Sequence, residues 1–369
     1  MARRALTDPG FAPRRIVLRT PNPLGDAVMA EPALRAIAAH FPHARVDVAV
    51  PAALAPLAAC WGFAAGVIAL PRARGAAKLG AALAAARALR AGRYDLAVLL
   101  PNSLDSAFAA RAAGIGRIVG YARDARRLLL SDPIAPPANP RGEHMLAYYW
   151  RLAEALGCGA LPGGARVAAA PTSAPAVFAA DARTRPALTP SADAHAKGAS
   201  LLARHGLAGR GFVVLAPGAA YGPAKQWPVA HYQALARDLA RDHAIVVVGT
   251  PDERAIAAAI AAACGGVDLA GATDLAGLIG VLARARGFVG NDSGAAHLAG
   301  ALGIAGAVIY GSTSDAHSGQ IGAGLAIVNR RIECSPCFAR ACPLGHLRCL
   351  TEITPDTVRE ALERAASAG

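Results

Sequence analysis

Residues 287–311 read GFVGNDSGAAHLAGALGIAGAVIYG. Gly287, Phe288 and Val289 have the apolar run of a short buried strand, and Asn291-Asp292-Ser293-Gly294 has turn chemistry with a helix cap. Ala295 to Leu302 then has helical patterning, and Ala307 to Tyr310 is the next strand. That is a βαβ unit of a parallel sheet. Its polar residues fall at the strand-to-helix turn, where open α/β sheets take ligands and where free backbone N–H groups and the helix dipole attract phosphate. Taken alone, Asp292-Ser293-Gly294 is a good helix cap and nothing more. The rest of the chain decides between the two readings.

Working outward, 369 residues exceed what one core usually holds, so two domains are expected. Hydrophobic residues make up 54% of the chain, but much of that is alanine, and apolar runs such as Ala76 to Leu89 are interrupted by Lys78 and Arg87. No bilayer-spanning helix is expected. The first residues, MARRALTDPGFAPRRIVLRT, carry arginines without an apolar signal core, and the seven cysteines are odd in number; a cytoplasmic protein is expected. A net charge of +13 implies an anionic partner. Nucleic acid is disfavoured by the 5% aromatic content, the dispersed arginines and the absence of a nucleic-acid module, which leaves an anionic membrane surface or a phosphorylated substrate.

In the first half, Arg15 to Arg19 is a strand, Thr20 to Asp26 its exit loop, and Ala27 to His40 a helix distorted by Pro32. Asp26 at the helix start either complements the dipole or acts as a general base at the carboxyl end of the strand. Strands follow at Arg45 to Val50, Val67 to Leu70 and Tyr94 to Leu100, the last ending in Pro101-Asn102-Ser103, with helices at Ala76 to Ala91, Ser106 to Ala113 and Glu143 to Leu156. After Arg117 to Tyr121, the group Arg123, Asp124, Arg126 and Arg127 is most simply a solvated face, with a clamp for an anionic acceptor as the alternative. Gly159 to Ser191 is rich in Ala, Pro and Gly and reads as the interdomain linker.

The second half repeats the βα rhythm. A helix from Ser191 to His205 and a strand from Phe212 to Ala216 lead into the loop PGAAYGPAKQWP, residues 217–228. Its glycines free the backbone, and Lys225 offers a point charge suited to a diphosphate, although no Gly-Lys-Ser/Thr of a Walker loop is present. After the strand Ile245 to Val248, Glu253 is either a first-turn acid or the acceptor for a ribose hydroxyl. Asp268 to Gly271 and a helix capped at Asp274 return to the opening stretch. Near the end, Cys334, Cys337, Cys342 and Cys349 with His346 are compact enough to hold a metal. The second pair is not Cys-x-x-Cys, however, so a loop of reduced packing cysteines is favoured. Thr354 to Ala368 is a final helix that could cross back to the first domain.

These elements together resemble the bacterial lipopolysaccharide heptosyltransferases, glycosyltransferase family nine. The likeness is carried by Leu24-Gly25-Asp26, Tyr94-Asp95 through Asn102-Ser103-Leu104, Gly120-Tyr121 with Arg126, and the loop Pro217 to Pro228. Asn291-Asp292-Ser293-Gly294 with His297 and Gly311-Ser312-Thr313 complete it. The stretch CSPCFARACPLGHLRCL looks like the heptosyltransferase II branch. The resemblance implies an α/β GT-B fold: two Rossmann-like domains facing each other across a cleft, residues 1–178 binding the acceptor, 190–351 the nucleotide sugar, and 352–369 forming the C-terminal helix. It implies inverting transfer of heptose from ADP-L-glycero-D-manno-heptose to the lipopolysaccharide inner core, with no cofactor required. It also implies a peripheral position at the cytoplasmic face of the inner membrane.

By the same resemblance Asp26 would be the base, Lys225 would neutralise the diphosphate and Glu253 would hold the ribose. Asp292, Ser293, Gly294 and His297 would hold the heptose and phosphates, and Asn102, Ser103 and Arg126 would meet the acceptor. Ala220 and Tyr221 stand where some relatives carry hydroxyl residues, so that stretch would bind phosphate through backbone N–H groups. The chain has no Asp-x-Asp, and positive charge for a leaving diphosphate would come from Lys225 and the helix at Ser293. Competing readings are a nucleotide-sugar epimerase, which turns over donor without acceptor, a heptosyltransferase acting on protein, and a basic binding module whose turns are only caps.

Overall fold

The computed structural model describes residues 5–8, 10–123, 125–162, 181–320 and 324–367. Asp124 of the arginine group, and residues 163–180 of the expected linker with the boundary at 178, lie outside them. The chain divides into two compact units, with residue 189 in the first and Pro190 opening the main run of the second.

The first unit runs β1 (Arg15–Arg19), α1 (Leu24–His40), β2 (Arg45–Pro51), α2 (Ala55–Ala58), β3 (Gly66–Leu70), α3 (Lys78–Ala91) and β4 (Leu96–Leu99). It continues through α4 (Leu104–Ala112), β5 (Arg117–Tyr121), β6 (Asp132–Ile134) and α5 (Met145–Glu154). The strands pair in the order β3-β2-β1-β4-β5-β6, all parallel, with Ile16 opposite both Val46 and Leu96. β1 and β4 are apolar throughout their centres because both sheet faces are covered by helices. The periodicity reading places these elements to within a few residues. It misses β6, whose three residues include Pro133 at the sheet edge, where a missing N–H costs no ladder bond. The helix after β1 starts earlier than expected, behind Pro23, so Asp26 sits within its first turn.

The second unit runs α6 (Ala192–Arg204), β7 (Phe212–Ala216), α7 (Val229–Leu239), β8 (Ala244–Val247), α8 (Arg254–Cys264), β9 (Val267–Asp268) and α9 (Leu275–Leu282). It continues through β10 (Gly287–Asn291), α10 (Gly294–Ala301), β11 (Gly306–Tyr310), α11 (Asp315–Ser318), β12 (Leu325–Asn329), α12 (Arg348–Thr351) and α13 (Pro355–Ser367). Its strand order, β12-β11-β10-β7-β8-β9, is again parallel throughout and repeats the order of the first sheet. Each unit is thus Rossmann-like. In each the chain reverses direction across the sheet at one place, between β1 and β4 and between β10 and β7, and crevices at the carboxyl ends of such strands are where ligands bind.

α13 packs on β10, β11, β12 and α7 of the second unit. Val358, Ala361, Leu362 and Ala365 form one apolar stripe, spaced three and four residues apart, and they complete the core that contains Val289, Ala307 and Ile309.

Candidate active site

In the second unit the polar residues converge where β7, β10 and β11 end. Asn291 is fully buried at the tip of β10. Its Nδ2 donates to the Pro217 carbonyl at 2.6 Å and its Oδ1 accepts from the Trp227 backbone N–H at 3.1 Å, so it brackets both ends of the 217–228 loop. Asn291 therefore shapes the site and does not face a ligand. The next residue, Asp292, is 5% exposed and pairs with Lys225, whose Nζ lies 2.5 Å from Oδ2. Thr313 Oγ1 donates to the same oxygen at 2.7 Å, and the Tyr310 hydroxyl lies 3.1 Å from Oδ1. Thr313 and Tyr310 were not singled out from sequence. The quoted Gly311-Ser312-Thr313 was the available signal, but its partner is 21 residues away on another strand end.

Ser293 stands at the N-cap position of α10, yet its side chain makes no capping hydrogen bond; its Oγ is buried and has no partner among the described residues. Ser312 Oγ is buried and unpartnered in the same sense. Buried hydroxyls are normally satisfied, so orphans next to a lysine and a helix N-terminus mark a place for a hydrogen-bonding ligand. The cap reading of Ser293 is replaced accordingly. Gly294 opens the helix, and its missing side chain leaves the first-turn N–H groups open to a close approach. His297, one turn on, is 6% exposed; burial pulls its imidazole down to about 4, Asp292 opposing and Lys225 adding to the shift. It is a neutral hydrogen-bonding group at ordinary pH.

Glu253 follows β8. Its Oε2 accepts the Thr250 backbone N–H at 2.7 Å in a capping box, and its carboxylate lies directly against Gly218, where any side chain would overlap it. The carboxylate is held beside the 217–228 loop. In that loop Lys225 Nζ lies 5.1 Å from the centre of the Tyr221 ring, a cation–π contact, and Tyr221 is 37% exposed. Ala220 is an exposed turn residue before it.

In the first unit Asp26 lies in the first turn of α1 at the end of β1, and Tyr149 of α5 shares a side-chain hydrogen bond with it. Tyr149 is buried, and burial first, then the Asp26 charge, holds its hydroxyl well above the ordinary tyrosine range. It therefore donates to Asp26.

Of the arginine group, Arg123 and Arg127 are exposed, as a solvated face would be, but Arg126 is not. Arg126 is fully buried; its Nε donates to the Tyr121 carbonyl at 2.8 Å, its Nη1 to the Pro101 carbonyl, and its Nη2 to Asn102 Oδ1 at 3.3 Å. A buried guanidinium is stabilised by such acceptors, and here it fixes the turn after β4. In that turn Asn102 Nδ2 donates to the Tyr148 hydroxyl at 2.8 Å and Ser103 caps α4. Ser103 also lines a cavity of about 330 Å³ whose wall carries four cations, Arg19, Arg72, Arg74 and Lys78, and one carboxylate, Asp105. Arg19 donates to Asn22 Oδ1 at 3.0 Å and to the Thr20 carbonyl at 2.9 Å, all neutral partners. Burial first, then the Arg72 cation, pulls its guanidinium down to about 10. Among the described residues none of these four cations forms an ion pair with a carboxylate, an arrangement that suits an anion. Sequence reading missed this cavity because its cations come from β1 and from the segment after β3.

The seven cysteines are unbridged, and among the described residues no group of three or more His, Cys, Asp or Glu side chains is placed to hold a metal. Cys349 packs in the core, where burial first and the neighbouring cysteines next push its thiol up to about 11. Cys342 is surface-placed, and backbone N–H groups, Leu347 first, lower its thiol below the ordinary range. No helix among the described residues is long and apolar enough to cross a membrane.

The chain is similar to known proteins along most of its length. The chain is 29% identical over 363 residues to lipooligosaccharide heptosyltransferase 2 of Haemophilus ducreyi, covering 95% of this chain and 99% of that one. It is 28% identical to lipopolysaccharide heptosyltransferase 2 of Salmonella typhimurium, covering 96% and 99%. Among solved structures, that of the Escherichia coli ADP-heptose lps heptosyltransferase II superimposes with a TM-score of 0.76 at 25% identity, covering 96% of this chain and 98% of that one. The family model described as Glycosyltransferase family 9 (heptosyltransferase) matches residues 82–348. On that match, which spans both Rossmann-like units, the chain belongs to glycosyltransferase family 9, the heptosyltransferases.

Proposed function

We propose that this glycosyltransferase moves L-glycero-D-manno-heptose from ADP-L-glycero-D-manno-heptose onto the first heptose of the lipopolysaccharide inner core, inverting the anomeric carbon. The observation that carries the reading is Lys225, held by Asp292 beside the N-terminus of α10, with the unpartnered Ser293 Oγ at the same place. A donor diphosphate would accept from Lys225, from Ser293 and from the first-turn N–H groups, and Glu253 would take a ribose hydroxyl. His297, neutral, and Asp292 would face the sugar. The relatives named heptosyltransferase 2 support the choice of acceptor.

In the proposed step an acceptor hydroxyl loses its proton to the Asp26 carboxylate as its oxygen attacks the anomeric carbon. The bond from that carbon to the diphosphate breaks, and ADP leaves with the electron pair. Lys225 and the α10 N–H groups meet the charge that develops, the role fixed donors perform best in a site shielded from water. Tyr149, donating a hydrogen bond to Asp26, would orient its carboxylate. The reading requires no cofactor.

We assign acceptor binding to the first domain and donor binding to the second. The inner core carries phosphates and carboxylates, and the cations on the wall of the Ser103 cavity suit them; Asn102 and Ser103 would contact the acceptor, with Arg126 holding their turn. The net charge of +13 supports peripheral contact with the cytoplasmic face of the inner membrane. Incubation of the purified enzyme with ADP-heptose and defined inner-core acceptors, read by mass, tests the proposal: acceptor bearing one heptose should gain a second. Donor consumed without acceptor, or no gain on any inner-core acceptor, would count against it.

A further inference from the structure

The cysteine-rich stretch that sequence reading could not place in the chemistry touches both arms of the donor site. Ser335 Oγ donates to the Gly311 carbonyl at 2.6 Å, and the Phe338 N–H donates to the Ser312 carbonyl at 2.7 Å; this is the turn whose Thr313 holds Asp292. On its other side the stretch meets the lysine loop. The Arg340 carbonyl accepts the Ala224 N–H at 3.1 Å, Arg340 Nε donates to the Tyr221 carbonyl at 2.7 Å, and the Tyr221 hydroxyl donates to the Phe338 carbonyl at 2.6 Å. The Arg340 guanidinium also lies 5.3 Å from the centre of the Tyr221 ring, against which Lys225 rests at 5.1 Å.

Asn291 ties the two ends of the lysine loop, and inside it the Gly222 N–H donates to the Ala219 carbonyl at 3.2 Å and the Lys225 N–H to the Gly222 carbonyl at 3.1 Å. Gly222 adopts φ +151°, a conformation that residues other than glycine rarely take. There the loop backbone runs directly against the Arg340 carbonyl, leaving no room for a Cβ. The cysteine-rich stretch is itself fastened at both ends: Cys334 and Leu347 pack against the core of the second unit, and Cys349 and Leu350 lie within it.

We propose that residues 335–340 form a strap that sets the lysine loop in its diphosphate-binding geometry, with Arg340 as a positioning residue acting through Tyr221. The proposal rests on the reading of Lys225 as a diphosphate-binding group. The strap ties the loop bearing Lys225 to the turn bearing Thr313, so the two groups that hold Asp292 keep a fixed separation. Loss of the Arg340 side chain removes one hydrogen bond and the stacking on Tyr221, and leaves the core anchors in place.

The test is ADP binding by calorimetry together with donor and acceptor kinetics for Arg340→Ala, Arg340→Lys, Tyr221→Phe and Lys225→Ala. Arg340→Ala is expected to weaken ADP and raise the donor KM by about tenfold, the scale of a hydrogen bond from a charged group, with acceptor KM and melting temperature unchanged. Arg340→Lys should recover most of the loss, and Tyr221→Phe should weaken ADP by a few-fold. Wild-type ADP affinity in Arg340→Ala and Tyr221→Phe, while Lys225→Ala binds poorly, overturns the strap and leaves the donor-site reading intact. Wild-type affinity in Lys225→Ala overturns the donor-site reading and the strap with it. A lowered melting temperature with donor and acceptor KM rising together would show a general structural role and also overturn the proposal.

Discussion

Lys225 Nζ lies 2.5 Å from Asp292 Oδ2, joining the loop after β7 to the tip of β10, and the two side chains are 14% and 5% exposed. Ion pairs this well shielded are screened little by salt, and breaking one by removing a single partner is costly because it strands the other charge. Asp292 is further satisfied by Thr313 and approached by Tyr310, so the lysine is aimed before any donor arrives.

Lys225→Ala should lower transfer at least roughly a hundredfold, the scale of losing an electrostatic stabiliser of the leaving group. The stability loss of Lys225→Ala and of Asp292→Ala should each approach about 3–5 kcal/mol, and the double variant should lose less than their sum. Urea titration of the three variants measures this; strict additivity would mean that the pair is not coupled.

Asp26→Asn should reduce turnover at least roughly a hundredfold while leaving ADP affinity unchanged, since the proton acceptor is lost and the donor groups are not. Tyr149→Phe tests the same carboxylate more gently. A hydrogen bond donated to a carboxylate favours the ionised form, so its removal should raise the Asp26 pKa and move the acid limb of kcat/KM to higher pH. Near-normal turnover in Asp26→Asn, or an unmoved acid limb in Tyr149→Phe, would remove Asp26 from the base role.

Arg72→Ala should raise the acceptor KM several-fold at low ionic strength, with donor KM unchanged. The gap from wild type should narrow as salt rises, because charge attraction at an open cavity is screened. Steady-state kinetics across a salt series decide it. An Arg72→Ala acceptor KM equal to wild type at every salt concentration would take the cavity out of acceptor binding.

The buried His297 imidazole, pulled down to about 4, makes stability depend on pH in a defined window. Unfolded, the group takes up a proton near 6.5; folded, it resists until about 4, with Asp292 and Lys225 as the charged groups facing it. Its contribution is therefore fully present above pH 6.5 and declines as pH falls towards 4, by up to roughly 3 kcal/mol in all. His297→Gln should flatten that part of the stability curve. Chemical denaturation of both proteins at pH 7, 5.5 and 4.5 would show the difference, and parallel curves would rule out this linkage.

Much of the fold was legible because its signals are local. The apolar runs at Arg15 to Arg19 and Phe212 to Ala216 are strands at those bounds, since a doubly covered parallel strand must be apolar on both faces. The edge strand β6 escaped because three residues are too few for a period to register; the edge strand β12 escaped as well, at five residues. Lys225, Asp292 and His297, singled out by residue type, lie close together in the second unit, and Asp26 stands in the first turn of α1 in the first, each near a strand-to-helix turn, the place where parallel sheets bind ligands. Arg126 was misjudged because a run of arginines looks solvated, and nothing nearby in sequence announces that the Pro101 carbonyl and Asn102, some 25 residues back, will take up its guanidinium.

The sequence by itself therefore determined two βα-alternating halves, the chemistry at their turns and the family they resemble. All three follow from patterns within about a dozen residues. Only the tertiary structure decided that Ser293 stands at the N-cap without a capping bond, that Thr313 and Tyr310 join Asp292, that α13 packs on the second sheet, and that the cysteine-rich stretch meets the lysine loop. Those facts depend on which strand ends the sheet order brings side by side, and that order is set by pairing between segments tens to more than a hundred residues apart.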